Sequence, residues 1–206
     1  MEITRLFFSR STSIKGYKQG DILQEGSLRR IKCTALSGNP LPELEWFAGD
    51  KKVGGAKIEK AESGAYVSSE ISIKVDRSDN GKSYKCQAKS EATKEPFRKR
   101  VVLKVSFPPR RVKVGVNPES PTEGSQAVLK CLTDSSSPNT EIIWWYNGEQ
   151  IPSSDLETRV GKFGGSITSS LLQIDVTEAH INAEYKCEAR HAATSKSVSN
   201  TTKIGV

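Results

Sequence analysis

Apolar and polar residues alternate in short runs along the chain. Ile31, Cys33 and Ala35 alternate with Lys32 and Thr34, and Ile71, Ile73 and Val75 alternate with Ser72 and Lys74. Val101, Leu103 and Val105 form a third set. The pattern then returns, with Ala127, Leu129 and Cys131, and later Leu172, Ile174 and Val176. A period of two marks strands with one buried face. The chain is therefore expected to be all-β.

The strands recur because the whole chain repeats. Tyr84-Lys85-Cys86-Gln87-Ala88 returns as Tyr185-Lys186-Cys187-Glu188-Ala189, and Glu25-Gly26-Ser27 before Cys33 returns as Glu123-Gly124-Ser125 before Cys131. At 206 residues the chain suits two units of about 100 residues each. We place them at residues 1–107 and 108–206. Ser106-Phe107-Pro108-Pro109 joins them, and its prolines predict a stiff, elongated pair. In the first unit Glu2–Phe8 reads as a strand. Ser9–Gln19 has no clear period and reads as a loop. The second unit has about ten fewer residues there, between Val112 and Glu123. Leu44 and Trp46 are expected to face inward, as are Ile143 and Trp145, which leaves Ile142 and Trp144 facing out. Asp79-Asn80-Gly81 reads as a turn. His180-Ile181-Asn182-Ala183 replaces it in the second unit, with Asn182 expected in the left-handed conformation.

Cysteine, tryptophan 13 or 14 residues on, and Tyr-x-Cys near the end of a roughly 100-residue unit resemble the immunoglobulin sandwich. The implied fold is two tandem immunoglobulin-like β-sandwiches of the I-set or constant-like form, because little chain separates tryptophan from the strand that follows. The resemblance implies that Cys33 pairs with Cys86 and Cys131 with Cys187. It also implies that Trp46, Tyr84, Trp145 and Tyr185 pack against these bonds. A disulfide closing a loop of about 55 residues stabilises by roughly 4 kcal/mol and persists only in oxidising compartments. The competing account is two pairs of reduced thiols, as in intracellular muscle sandwiches.

Charge separates the two units. Residues 1–107 hold 21 Lys and Arg against 13 Asp and Glu, a net +8; residues 108–206 hold 10 against 11, a net −1. With Tyr84, Cys86, Val101 and Leu103 inward, the opposite face of the last two strands carries Lys85, Lys89, Arg98, Arg100 and Lys104, with Lys99 at the edge. Like charges on one strand pair repel unless something acidic lies opposite. The face reads either as a docking surface for an acidic protein or heparan sulfate, or as a solvated face offset by Glu45 and Glu95. On the second unit, Ile142 and Trp144 are expected beside Lys186, Glu188 and Arg190. An outward indole there is either a binding anchor or a cation–π partner of Lys186 or Arg190.

Catalytic chemistry has little to work with. His180 and His191 lie near no nucleophile motif, and no metal-ligand spacing occurs. No enzyme activity, cofactor, metal or nucleic-acid partner is expected. Asn200-Thr201-Thr202 is the one N-x-S/T sequence and reads as a glycosylation site. No apolar run reaches the roughly 20 residues of a membrane span. The N-terminus lacks the uncharged core of a signal peptide. We therefore expect a fragment whose membrane anchor lies elsewhere in its parent chain.

Ser37-Gly38-Asn39-Pro40-Leu41-Pro42-Glu43-Leu44-Glu45-Trp46, Asp79-Asn80-Gly81-Lys82-Ser83-Tyr84-Lys85-Cys86, and Phe107-Pro108-Pro109 leading to Cys131-Leu132-Thr133-Asp134-Ser135 resemble the nephrin group of immunoglobulin-superfamily adhesion receptors. The resemblance implies a cell-surface receptor ectodomain whose partners are other immunoglobulin-superfamily receptors, bound homophilically or heterophilically. It implies a spacer segment, with lateral contacts, because nothing marks this stretch as outermost. The alternative is a ligand- or glycosaminoglycan-binding module of a growth-factor or matrix receptor.

Overall fold

The computed structural model describes residues 7–8, 12–152 and 154–205. Contacts divide the chain into Met1–Val105 and Ser106–Val206. The division falls before Phe107, not after it as the sequence boundary had it. Phe107 is fully buried and exchanges backbone hydrogen bonds with Ser137 of the second domain. Its ring meets Phe163 edge-on.

The first domain contains β1 (Phe7–Phe8), β2 (Thr12–Lys15), β3 (Ile22–Gln24), β4 (Leu28–Leu36), β5 (Gly38–Asn39) and β6 (Glu43–Ala48). It continues with β7 (Lys51–Val53), β8 (Lys57–Lys60), β9 (Tyr66–Lys74), β10 (Ser83–Lys89), β11 (Phe97–Val102) and β12 (Lys104–Ser106). One sheet runs β2-β4-β9-β8 and the other β11-β10-β6-β7, while β3 pairs with β12 and β1 with β5. The second domain contains β13 (Val112–Asn117), β14 (Gln126–Thr133), β15 (Thr140–Tyr146), β16 (Glu149–Ile151), β17 (Ser154–Val160), β18 (Ser166–Asp175), β19 (Glu184–His191) and β20 (Ser197–Lys203). Its sheets run β13-β14-β18-β17 and β16-β15-β19-β20. This is the sandwich expected from the sequence.

The stretch read as a loop, Ser9–Gln19, holds strand β2, paired from Thr12↔Ala35 to Lys15↔Lys32. Its burial alternates only weakly, since it is an edge strand. The chain then crosses from one sheet to the other at Gly16, whose φ is +91°, and a Cβ there would overlap the Arg30 carbonyl. Only glycine fits that close approach. The buried Tyr17 follows, and its hydroxyl accepts a hydrogen bond from the Lys104 N–H at 3.1 Å. The expected first strand appears at Phe7–Phe8; Glu2–Leu6 lies outside the described residues.

Each core is built on a disulfide and an indole. Cys33 is bonded to Cys86 and Cys131 to Cys187, with Cα–Cα separations of 6.3 and 6.2 Å. Trp46 lies opposite Cys86 in the sheet, and its Nε1 donates to the Ser69 carbonyl at 3.2 Å. In the second domain it is Trp144, not Trp145, that fills this place. Trp144 lies opposite Cys187, is fully buried and donates from Nε1 to Ser170 Oγ at 3.0 Å. Ile142 is buried with it in the core cluster. Strand β15 has apolar residues on both faces, so alternation could not say which face was inner. The spacing could: Trp144 stands 13 residues after Cys131, as Trp46 does after Cys33.

The two corner tyrosines are held differently. Tyr84 donates its hydroxyl to Asp79 Oδ1 at 3.2 Å, and Asp79 also accepts the Asp76 N–H at 3.0 Å. His180 takes over the second role in the second domain, its Nδ1 accepting the Thr177 N–H at 3.0 Å. Asn182 there has a φ of +62°, the left-handed conformation expected of it. Buried Arg77 makes a two-pronged pair with Glu25 at 2.7 Å, tying the first domain's turn to the start of β4.

Candidate functional site

Strand register sets out the outward face of β11-β10-β6-β7 as rows. Lys52, Phe47, Lys85 and Arg100 form one row across four strands. Glu45, Gln87 and Arg98 form the next, and Glu43 lies opposite Lys89 in the third. The structure thus brings Lys85, Lys89, Arg98 and Arg100 onto one face. Lys104 sits apart from them on β12, which pairs with β3.

Three contacts manage the repulsion. Lys52 and Lys89 both reach Glu45, each at 2.6 Å, and Glu45 is only 9% exposed. The bond from Lys52, and after it the bond from Lys89, holds the Glu45 carboxyl below the usual carboxylate range. Lys85 lies over the Phe47 ring at 5.1 Å. Arg98 Nε donates to the neutral side chain of Gln87 at 3.0 Å, so its charge gains no carboxylate partner from that bond. The face is a positive surface with one aromatic ring and one carboxylate set into it. Phe47 and Gln87 are members that charge counting missed.

The corresponding face of the second domain has the same rows with different chemistry. Gln150, Trp145, Lys186 and Thr201 take the first row. Ile143, Glu188 and Ser199 take the second. Gln150 replaces Lys52, Ser199 replaces Arg98, Thr201 replaces Arg100, and Glu188 replaces Gln87. The position of Glu45 belongs to Ile143 here, not to Trp144. Trp144 and Ile142, expected as an exposed anchor, are in the core. The outward indole is Trp145, half-buried, with the Lys186 ammonium 4.5 Å over its ring and its Nε1 donating to Glu188 Oε2 at 3.1 Å.

His191, buried, bridges Thr194 Oγ1 and the Ser137 carbonyl, at 2.9 and 3.0 Å. It ties two loops together at the end of β19. Asn200 is exposed near the middle of β20. No helix among the described residues is long and apolar enough to cross a membrane.

Residues 108–191 match the immunoglobulin domain model, and residues 17–96 match the CD80-like C2-set immunoglobulin domain model. The chain belongs to the immunoglobulin superfamily. Its two immunoglobulin domains are 32% identical over 180 residues to nephrin of Mus musculus, covering 84% of this chain and 14% of that protein. They are 27% identical over 172 residues to cell adhesion molecule 2 of Homo sapiens, covering 81% of this chain and 38% of that protein. The chain therefore spans a minor part of the length of these relatives. The crystal structure of Rst D1-D2 superposes with a TM-score of 0.65 at 18% identity, covering 95% of this chain and 99% of that one. That likeness is one of fold.

Proposed function

We propose that this chain is an extracellular segment of a nephrin-like, cell-surface adhesion receptor, part of the ectodomain of a single-pass membrane protein. Its partners are other receptors of the immunoglobulin superfamily. The segment works as a spacer that also makes lateral contacts, and the contact face is the outward side of β11-β10-β6-β7. The observation that carries this reading is the contrast between two faces on one scaffold. The first domain concentrates Lys85, Arg98 and Arg100 around Phe47, where the second has Lys186, Ser199 and Thr201 around Trp145. A spacer alone gives no reason for that difference. A surface that selects an acidic partner does, because complementary charge supplies specificity and speeds encounter. Two disulfides and the similarity to adhesion molecules support the extracellular placement.

The test is a binding screen of the chain against ectodomains of its own superfamily, itself included, with Arg98→Glu/Arg100→Glu alongside. Charge reversal is expected to abolish binding while leaving folding intact. Binding that is indifferent to the reversal would leave only the spacer role. The net positive charge of the first domain also favours a second reading, heparan sulfate as ligand. Retention of the first domain on heparin resin at physiological salt supports it, and elution well below that salt removes it.

A further inference from the structure

The two sides of the second sandwich end differently. On one side β13 lies along β20, and Asn200 Nδ2 donates across to the Val112 carbonyl at 3.3 Å. On the other side β17 ends its sheet. Among the described residues β18 is the one strand that pairs with it. Strand β16, which precedes it, has three residues and pairs with β15 in the other sheet. Every residue in 155–160 is exposed.

The faces of β17 follow from its register with β18. Leu156 lies opposite Ser170 and Thr158 opposite Thr168, and both β18 residues are buried. Leu156, Thr158 and Val160 therefore stand on the side turned toward the other sheet, and Glu157 and Arg159 on the side turned away. Yet Leu156 is 54% exposed and Val160 89%. The other sheet does not reach them. An open edge is a template on which another chain can add a strand. Natural sheets block such edges with proline, lysine, bulges or very short strands. Strand β17 has a bulge at Asp155, whose φ is +42°, but residues 156–160 keep unbroken register beyond it and include neither proline nor lysine. The matching edge of the first domain, β8, has four residues with a lysine at each end, and its carboxylate, Glu59, is held by Lys32 and Tyr66.

The β17 edge complements itself. Two identical antiparallel strands related by a two-fold axis through their shared sheet must pair about a residue, because side chains directly opposite share a face. Three registers centre on the middle of the strand. Centred on Glu157, the pairing sets Glu157 against its own copy, and centred on Arg159 it sets Arg159 against its own copy. Centred on Thr158, it sets Leu156 opposite Val160 and Glu157 opposite Arg159. Like charges directly opposite destabilise a strand pair, and opposite charges stabilise it. Among the described residues neither Glu157 nor Arg159 has an ion-pair partner of its own. Of the three registers, the one about Thr158 satisfies the apolar and the charged positions together.

We propose that the β17 edge is a second interaction surface, on which a second copy of this chain adds its own β17 antiparallel about Thr158, joining two four-stranded sheets into one. The contact lies wholly in the second domain and does not depend on the cationic face of the first. It is isologous, so it closes after two copies. The Glu157–Arg159 pair occurs twice across the axis, as does the Leu156–Val160 pair. So short an edge buries little surface, and the dimer is therefore weak and concentration-dependent.

Sedimentation of the full 206-residue chain across a range of concentrations tests this, with Arg98→Glu/Arg100→Glu alongside to remove any contact made through the first domain. A monomer–dimer equilibrium is expected in both, with hydrogen exchange at residues 156–160 slowing as the dimer forms. Glu157→Arg and Arg159→Glu each turn two attractive pairs into two repulsive ones, and each is expected to weaken the dimer about tenfold. Glu157→Arg/Arg159→Glu puts opposite charges across the axis again and is expected to restore it. Both side chains are exposed, so circular dichroism is expected to show one fold in every variant. A chain that stays monomeric overturns the proposal. A dimer lost in Arg98→Glu/Arg100→Glu, or unchanged by both single reversals, overturns the surface. Single reversals that the double exchange does not repair overturn the register.

Discussion

Removing the indole of Trp144 takes away a fully buried ring and its bond to Ser170. Trp144→Ala is therefore expected to cost about 3–5 kcal/mol, the range for deleting a buried aromatic. Trp145→Ala gives up a cation–π stack on Lys186 at a half-buried position and is expected to cost about 1 kcal/mol. Denaturant unfolding of the two variants side by side checks the order, and a larger loss at Trp145 would reverse the assignment. Glu45 allows a second test. Its carboxyl sits below the usual carboxylate range because Lys52, and then Lys89, bond to it. A carboxylate depressed on folding contributes stability above its unfolded value, about 4.3, and loses it as the pH falls through the lower folded value. The stability difference between wild type and Glu45→Gln is thus expected at pH 7 and to close as the solution becomes more acidic than pH ~4. Urea unfolding at neutral and acid pH measures it; an equal difference at both would mean that the two lysines do not hold the carboxylate.

At the scale of elements, the tyrosine corners show one job done by two sets of residues. Burial, with Asp79 adding to it, pushes the Tyr84 hydroxyl above its usual range. Burial, with Tyr146 adding to it, pushes Tyr185 up to about 12. A hydroxyl whose folded pKa is raised gives stability that is complete below its unfolded value of about 10 and is lost as the pH rises through the folded value. Both domains are therefore expected to lose stability in alkali from pH ~10 upward, the second over a window that ends at about 12. Tyr185→Phe is expected to flatten that loss in the second domain. Ultraviolet tyrosine titration run with circular dichroism follows both events, and ionisation of every tyrosine with the fold unchanged would contradict it. The turns themselves were legible as turns, since Asp79-Asn80-Gly81 has the right chemistry. That His180 would stand in for Asp79 was not, because an imidazole nitrogen and a carboxylate oxygen share no sequence signature. Strand β2 was missed for a related reason. An edge strand has little buried face, so its alternation is faint.

On the whole-molecule scale the uneven charge matters most. The first domain is basic and the second is near neutral, so association through the first domain should weaken as salt rises. The weakening should follow the Debye length, about 10 Å at 0.1 M and 3 Å at 1 M. Binding measured across that range with the chain and with Arg98→Glu/Arg100→Glu is expected to show a steep slope for the first and a flat one for the second. Equal slopes would place the contact elsewhere. The cationic face was readable from the sequence because strand alternation and the inward positions of Tyr84 and Cys86 fix which lysines and arginines point out. Its carboxylate was weighed only as an offset. Glu45 reaches Lys52 on the next strand, β7, and Lys89 on β10, far along the chain.

The sequence by itself determined two disulfide-centred sandwiches, the inward positions of most strands and the side on which charge collects. Those follow from period-two alternation and from cysteine, tryptophan and tyrosine spacings, which are local and occur twice. The tertiary structure alone decided how residues 12–24 cross between sheets and which lysines reach Glu45. Each of these depends on what lies beside a strand rather than on what lies along it. A strand covered on both faces, or on neither, carries no alternation to read.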